Sequence, residues 1–230
     1  MEMKKYLLKE YGSWAVALTA YLIGIKGLIS VDELLAGAFA CFFIINSKEA
    51  FSKWLRSYRF EPALIFFAQM ITGSVVILFI VGRDFTAFLP FLFIPVLYLL
   101  LFRFKGEHFI LTEVFGFMVL TLSVLPSCYI TTGRVGYELY LIVSLFFFFF
   151  FFKVRMQLRK DNSYRIVSLL YLFLVFIIYT LFIKKPILGL PLLENLYFTL
   201  RPYRVRLKHT GWIELLKSLL FLLLIKGWAY

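Results

Sequence analysis

The chain has 230 residues, 62% of them hydrophobic and 20% aromatic, with a mean hydropathy of +0.89. A soluble domain is roughly 45–50% apolar and needs polar surface around its core, so this composition excludes an ordinary soluble globular fold. A net charge of +12 would point to nucleic acid in a soluble protein. Here the basic residues lie between apolar runs and the aromatics lie within them, which excludes nucleic acid and points to the lipid bilayer as partner.

Nine apolar runs follow in chain order. Lys4, Lys5 and Lys9 precede the first, residues 12–25, which extends to 29. No small-x-small cleavage site leads into a soluble mature segment, so we read an uncleaved span rather than a secretory signal. Asp32 and Glu33 mark a turn, and residues 34–46 form a short second span rich in small residues suited to close helix packing. A basic loop, 47–60, carries Lys48, Lys53, Arg56 and Arg59. The third span is 62–81. The fourth, 85–102, contains Pro90 and Pro95, both expected to kink it. The fifth, 108–129, holds Glu113, and a polar hinge covers 131–136. The sixth, 137–152, ends in consecutive phenylalanines from Phe146 to Phe152 and runs into the most basic segment, 153–165. The seventh is 166–183. The eighth, 187–200, is interrupted by Gly189, Pro191, Glu194 and Asn195. A basic segment, 201–209, precedes the ninth span, 211–225.

The basic residues decide the topology. With the N-terminus inside, eighteen of the 25 fall on inner segments and six on outer ones, the bias the positive-inside rule predicts. The expected product is an all-α, multi-pass protein of the cell (inner) membrane, with a cytoplasmic N-terminus and an external C-terminus. Several spans are shorter than the roughly 20 residues a bilayer needs and must borrow from their flanks.

An internal repeat is also visible. EYGSWAVALTAYLIG, from Glu10, and EVFGFMVLTLSVLP, from Glu113, each place a glutamate and then a glycine ahead of an apolar helix. A shift that carries Gly12 onto Gly116 also carries one large basic loop onto the other. The chain therefore reads as a single integral membrane domain, 1–230, with halves at about 1–105 and 106–200 and a ninth helix at 211–227.

Charge inside a span is costly, roughly 2.5–3.5 kcal/mol at the helix centre on insertion scales, and marks residues worth weighing. Glu214 and Lys217 are three apart on the ninth span, on one face, where they neutralise each other. Glu194 and Asn195 sit beside Pro191 in a broken span, and broken helices often line binding cavities. Glu113 lies one turn into the fifth span, and Glu10 shares a face with Trp14 at the inner interface. In the basic loops, Lys53, Arg56, Arg155, Arg159 and Lys160 act either as topogenic charges on anionic lipid or as donors to a phosphate group. Cys41 and Cys128 have no metal-binding spacing and read as buried small hydrophobes, and His108 and His209 read as solvated. No soluble-enzyme motif is present in the sequence.

KEYGSWAVALTAYLIG, from Lys9, resembles the opening of the YwiC-like family of bacterial membrane proteins, which typically read Glu-His-Gly-(small)-Trp before the first helix. RLKHTGWIELLKSLLF, from Arg206, is similar to that family's closing segment. Tyr11 stands where histidine is usual, and Ala20 near where proline is common. The topology also resembles the UbiA prenyltransferase superfamily, whose inner loops hold magnesium and a prenyl diphosphate through aspartate-rich motifs. Of the first motif only Asn46 matches, with Glu49 out of register and Lys53 basic; of the second, Lys160 and Asp161 remain and Arg165 replaces the next aspartate.

The resemblance implies a UbiA-like bundle with a cytoplasm-facing basic cavity for a prenyl phosphate or other anionic lipid, in a non-standard or inactive prenyltransferase. Asn46, Lys53, Arg56, Arg155, Arg159, Lys160, Glu194 and Asn195 are its candidate binding residues. Glu49 and Asp161 are the candidate metal ligands, with magnesium as cofactor only where diphosphate chemistry is retained. The alternatives are a small-solute transporter using the intramembrane glutamates, and a non-catalytic assembly partner.

Overall fold

A computed structural model describes residues 6–8, 10–27, 31–159, 163–200 and 207–229. Among the described residues all regular structure is helical, with no strand, in nine consecutive segments. The first is α1, Tyr11–Gly24, and the second α2, Val31–Ser57. The third is α3, Phe60–Val81. A 3-10 turn, Gly82–Phe88, leads into α4, Leu89–Lys105. The fifth is broken into α5, Ile110–Thr121, and α6, Val124–Thr132. The sixth and seventh are α7, Tyr137–Arg159, and α8, Ser163–Ile177, which closes in a π turn, Ile178–Phe182. The eighth is a 3-10 stretch, Pro186–Leu192, running into α9, Leu193–Leu200. The ninth is α10, Leu207–Leu224, ending in a π turn, Ile225–Ala229.

Six of these segments are long and apolar enough to cross a membrane: Val31–Ser57, Phe60–Val81, Asp84–Lys105, Ile110–Thr132, Tyr137–Gln157 and Tyr164–Phe182. The outward faces of α3 and α8 carry bare apolar side chains, among them Phe67, Ile71, Phe79, Leu170 and Phe173. Such faces match hydrocarbon rather than water. The other three segments are short, broken or charged. At ~1.5 Å rise per residue, α1 spans about 21 Å, less than a hydrocarbon core.

Two boundaries differ from the sequence reading, for a common reason. Residues 47–57 and 153–159 are not loops but continuations of α2 and α7. Neither contains glycine or proline, and Glu49 and Lys53 pair at 3.0 Å one turn apart, so nothing stops the helix where hydrophobicity ends. α2 stops at Tyr58, which takes a positive φ of 51°. The two prolines of the fourth span sit differently in α4. Pro90 lies in the first turn, where its missing N–H has no intrahelical partner to lose, and the helix runs on through Pro95 to Lys105.

α7 is the hub and packs against α1, α5, α6, α8, α9 and α10. This explains the phenylalanine run. Phe146, Phe147, Phe149, Phe151 and Phe152 are buried on several sides of the helix, and Phe146 stacks on Phe221 of α10 at 3.8 Å. The fifth segment breaks at Leu122–Ser123, where Pro126 cannot donate back to Leu122. Ser123 Oγ instead donates to the carbonyl of Ala17 at 2.8 Å, tying the break to α1. Gly24 makes that approach possible, because a Cβ there would collide with Ser127 Oγ and lie 2.9 Å from the Cys128 nitrogen.

The segments alternate in direction, so the connections gather at two ends. At one end lie Glu10, the last turns of α2, Glu107 and the last turns of α7, which meet around one opening. At the other, the Lys26 N–H donates to Thr131 Oγ1 at 3.1 Å, and the Tyr129 hydroxyl donates to Asp84 at 2.7 Å. The Lys226 ammonium donates to the Ile25 carbonyl at this same end.

Candidate functional site

A cavity of about 410 Å³ opens at the first of these ends, between α1, α2, α3, α4, α5 and α7. Its floor is apolar, with Ile44, Met70, Tyr98, Leu99, Val119, Leu120 and Phe117. Its rim is charged, with Glu10, Lys48, Glu107, His108, Glu113 and Arg155. Gly116 keeps α5 close to α4, since a Cβ there would lie 3.3 Å from the Tyr98 ring.

Each base on the rim holds a carboxylate. Lys48 Nζ donates to both oxygens of Glu10 at 2.8 Å and lies 3.5 Å from Glu107. Arg155 is buried, and each of its nitrogens donates: Nε to Glu113 at 2.7 Å, Nη1 to the Tyr164 hydroxyl and Nη2 to the His108 carbonyl, both at 2.9 Å. Burial works to raise the Glu10 carboxyl, but the Lys48 charge and the bonds from Lys48 and Ser13 hold it below the ordinary carboxylate value. Thr112 is different. Its hydroxyl is buried at the cavity wall and has no hydrogen-bond partner among the described residues.

A second, largely apolar cavity of about 660 Å³ lies between α1, α7 and α10. Both cavities are lined by Gly12, Phe150 and Val154. The Phe150 ring lies 3.8 Å from the position of a Cβ on Gly12, so it forms the wall between them.

A separate ion cluster joins α7, α9 and α10. The fully buried Lys153 ammonium donates to both oxygens of Glu194 at 2.7 Å and to Glu214 at 2.9 Å. Lys217 donates to Glu214 at 2.8 Å and to Asn195 Oδ1, and lies 3.1 Å from Glu194. Two ammoniums face two carboxylates, so the cluster is neutral and its partners are satisfied.

The sequence candidates thus divide among several places. Glu10, Glu113 and Arg155 meet at the cavity. Glu194, Asn195, Glu214 and Lys217 meet in the buried cluster. Asn46 is buried and accepts the Leu8 N–H at 2.7 Å, which fastens the segment before α1 to α2. Lys53 pairs with Glu49 and lies 5.0 Å above the Tyr6 ring, away from the cavity lining. Arg56 is exposed and pairs with Glu107 at 2.9 Å. The Arg159 side chain, Lys160 and Asp161 lie outside the described residues. Of the two candidate metal ligands, Glu49 pairs with Lys53 and Asp161 lies outside the described residues; among the described residues no three His, Cys, Asp or Glu side chains converge as a metal site.

Sequence reasoning missed Glu107, Thr112 and the roles of Lys48 and Lys153. Glu107 lies in a short link with no periodic signal, and an unpartnered threonine is invisible until its neighbours are placed. Lys153 carried one signal, its position in register with the phenylalanine run, but it read as the first residue of a basic loop.

No family model matches the chain, and no curated protein matches it.

Proposed function

We propose that this chain is a two-halved, UbiA-like membrane protein, akin to the YwiC-like family, that binds an amphiphilic lipid with an isoprenoid-type chain. The observation that carries this reading is the cavity itself, with an apolar floor inside the bundle and polar groups only at its mouth. A lipid whose chain lies on Met70, Leu99 and Leu120 and whose head reaches the rim satisfies both surfaces. Both basic segments supply the rim, through Lys48 and Arg155.

The ion pairs support the two-halved reading. In each half a glutamate at the start of the first helix meets a base near the end of the second: Glu10 with Lys48, and Glu113 with Arg155. The rim's bases are committed to carboxylates, so the reading rests on the amphipathic lining rather than on excess positive charge. A transport path through the intramembrane glutamates has less support. Glu113 is closed by Arg155 and Glu194 by Lys153 and Lys217, in two separate clusters.

Native mass spectrometry of the full chain, purified in mild detergent, tests the proposal. Wild type is expected to retain a prenyl-type lipid. Gly116→Leu, which pushes a side chain into the cavity, is expected to lose it while remaining folded. Retention of bulk phospholipid alone, unchanged in the variant, would remove the proposal.

A further inference from the structure

α3 is the least buried of the six spans, and its one well-packed face rests on α2. Gln69 lies near the middle of α3. At ~1.5 Å rise per residue it is about 14 Å from the start at Phe60 and about 18 Å from the end at Val81. It stands at the edge of the packed face: Phe66 and Gly73 are buried, whereas Ala68 and Thr72 are exposed. The Gln69 amide makes no hydrogen bond with any described residue. Its Oε1 is buried and its nitrogen is not. Thr72, three residues on and so on the same side of the helix, also has no hydrogen bond from its side chain among the described residues.

Lipid alone does not account for a glutamine at this depth. Hydrocarbon offers neither donor nor acceptor, so an amide left there is unsatisfied at substantial cost. Polar side chains within spans instead hydrogen-bond across to another helix. Such a partner must present both a donor and an acceptor at the same level of the bilayer. A second copy of this chain does so by construction. An amide both donates and accepts, and a copy inserted in the same orientation carries its own Gln69 at the same depth. Across a two-fold axis along the membrane normal, each amide donates to the other's oxygen. Rotation about the last side-chain bond, whose torsion is broad, brings Oε1 outward for this pairing. We propose that this face of α3 is a self-association surface, on which Gln69 of two copies pair as reciprocal amides. Thr72 flanks the pair, and Ile65 and Val76 continue the same face to either side.

The test is resonance energy transfer between labelled copies of the full chain in phosphatidylcholine vesicles, over a range of protein-to-lipid ratios. The label is carried by Arg134→Cys in a background lacking Cys41 and Cys128. Unaltered Gln69 is expected to give reversible association of two copies. Gln69→Leu keeps the bulk and removes the amide. It is expected to weaken the dimer about tenfold, the scale of two hydrogen bonds between membrane helices, while leaving thermal stability of the monomer equal or higher. Gln69→Asn, which retains an amide, is expected to keep most of the association. In the same background without the label, Gln69→Cys is expected to cross-link to a second copy on oxidation in isolated membranes. Leu170→Cys, on the outward face of α8, is expected not to. A chain that is monomeric at every ratio, or a dimer unchanged in Gln69→Leu, overturns the inference. So does a cross-link from Gln69→Cys to a different protein in place of a second copy. No arm reads lipid retention, so this inference and the cavity reading stand or fall separately.

Discussion

Lys153 shows how a single charge is held inside a helical bundle. It follows the phenylalanine run on α7 and is fully buried, yet it meets Glu194 and Glu214 within 2.9 Å and lies over the Phe198 ring. Removing one member of a buried pair leaves the others desolvated and uncompensated, which typically costs about 3–5 kcal/mol. Lys153→Met is therefore expected to lower the thermal unfolding midpoint in detergent sharply, and Lys153→Met combined with Glu194→Gln to recover part of the loss. Glu10 makes a smaller contribution, with a defined pH dependence. Its folded carboxyl is held below the ordinary value of 4.5, so the stabilisation is fully present above that value and disappears as pH falls through the lower folded one. The side chain is half exposed, so the effect is under about 1 kcal/mol. Unfolding midpoints of wild type and Glu10→Gln should differ near neutral pH and converge in acid. A difference that persists in acid would assign the effect to packing.

At the scale of the helices, packing follows small residues and breaks. Gly73 lets α3 settle on α2, where a Cβ would lie 2.6 Å from Ile44 and 2.8 Å from the Ala40 carbonyl. Gly24 does the same for α1 against the break between α5 and α6. α7 lines both of the cavities described above and, through Phe150, supplies the partition between them. Phe150→Ala removes that ring and joins the spaces. On the lipid-binding reading, the retained lipids are expected to shift to longer chains by mass spectrometry of co-purified lipid. An unchanged chain-length profile would show that the wall does not limit the site. The extension of α2 and α7 through their basic stretches also belongs to this scale. It turns what reads as flexible loop into rigid helix, and so fixes Lys48 and Arg155 on the rim of one opening.

At the scale of the whole molecule, the described connections separate onto two ends, and Lys48 and Arg155, from two basic stretches, meet at the cavity mouth. Arg56 and Glu107 belong to that end, and Arg134 to the other. The positive-inside rule predicts that the first end faces the cytoplasm. Single cysteines at residues 56 and 134, introduced into a background lacking Cys41 and Cys128, are expected to react with an impermeant thiol reagent from opposite sides of the membrane. Labelling of both from one side would break the alternating topology.

The sequence by itself determined the all-helical class, the nine segments and the capacity of several to cross a membrane. The physical reason is that hydrophobicity and helix breakers are local: Gly133 ends the fifth segment in a left-handed turn wherever the helix packs. The i,i+3 spacing likewise placed Glu214 and Lys217 on one face. Only the tertiary structure decided which charges meet. Glu194 and Lys153 are 41 residues apart, and Glu113 and Arg155 are 42 apart, so no local pattern encodes their pairing. The same holds for the burial of the phenylalanine run, which lipid and a protein interior would satisfy equally well. Composition gave the chain its solvent, and long-range packing chose which polar groups would neutralise one another.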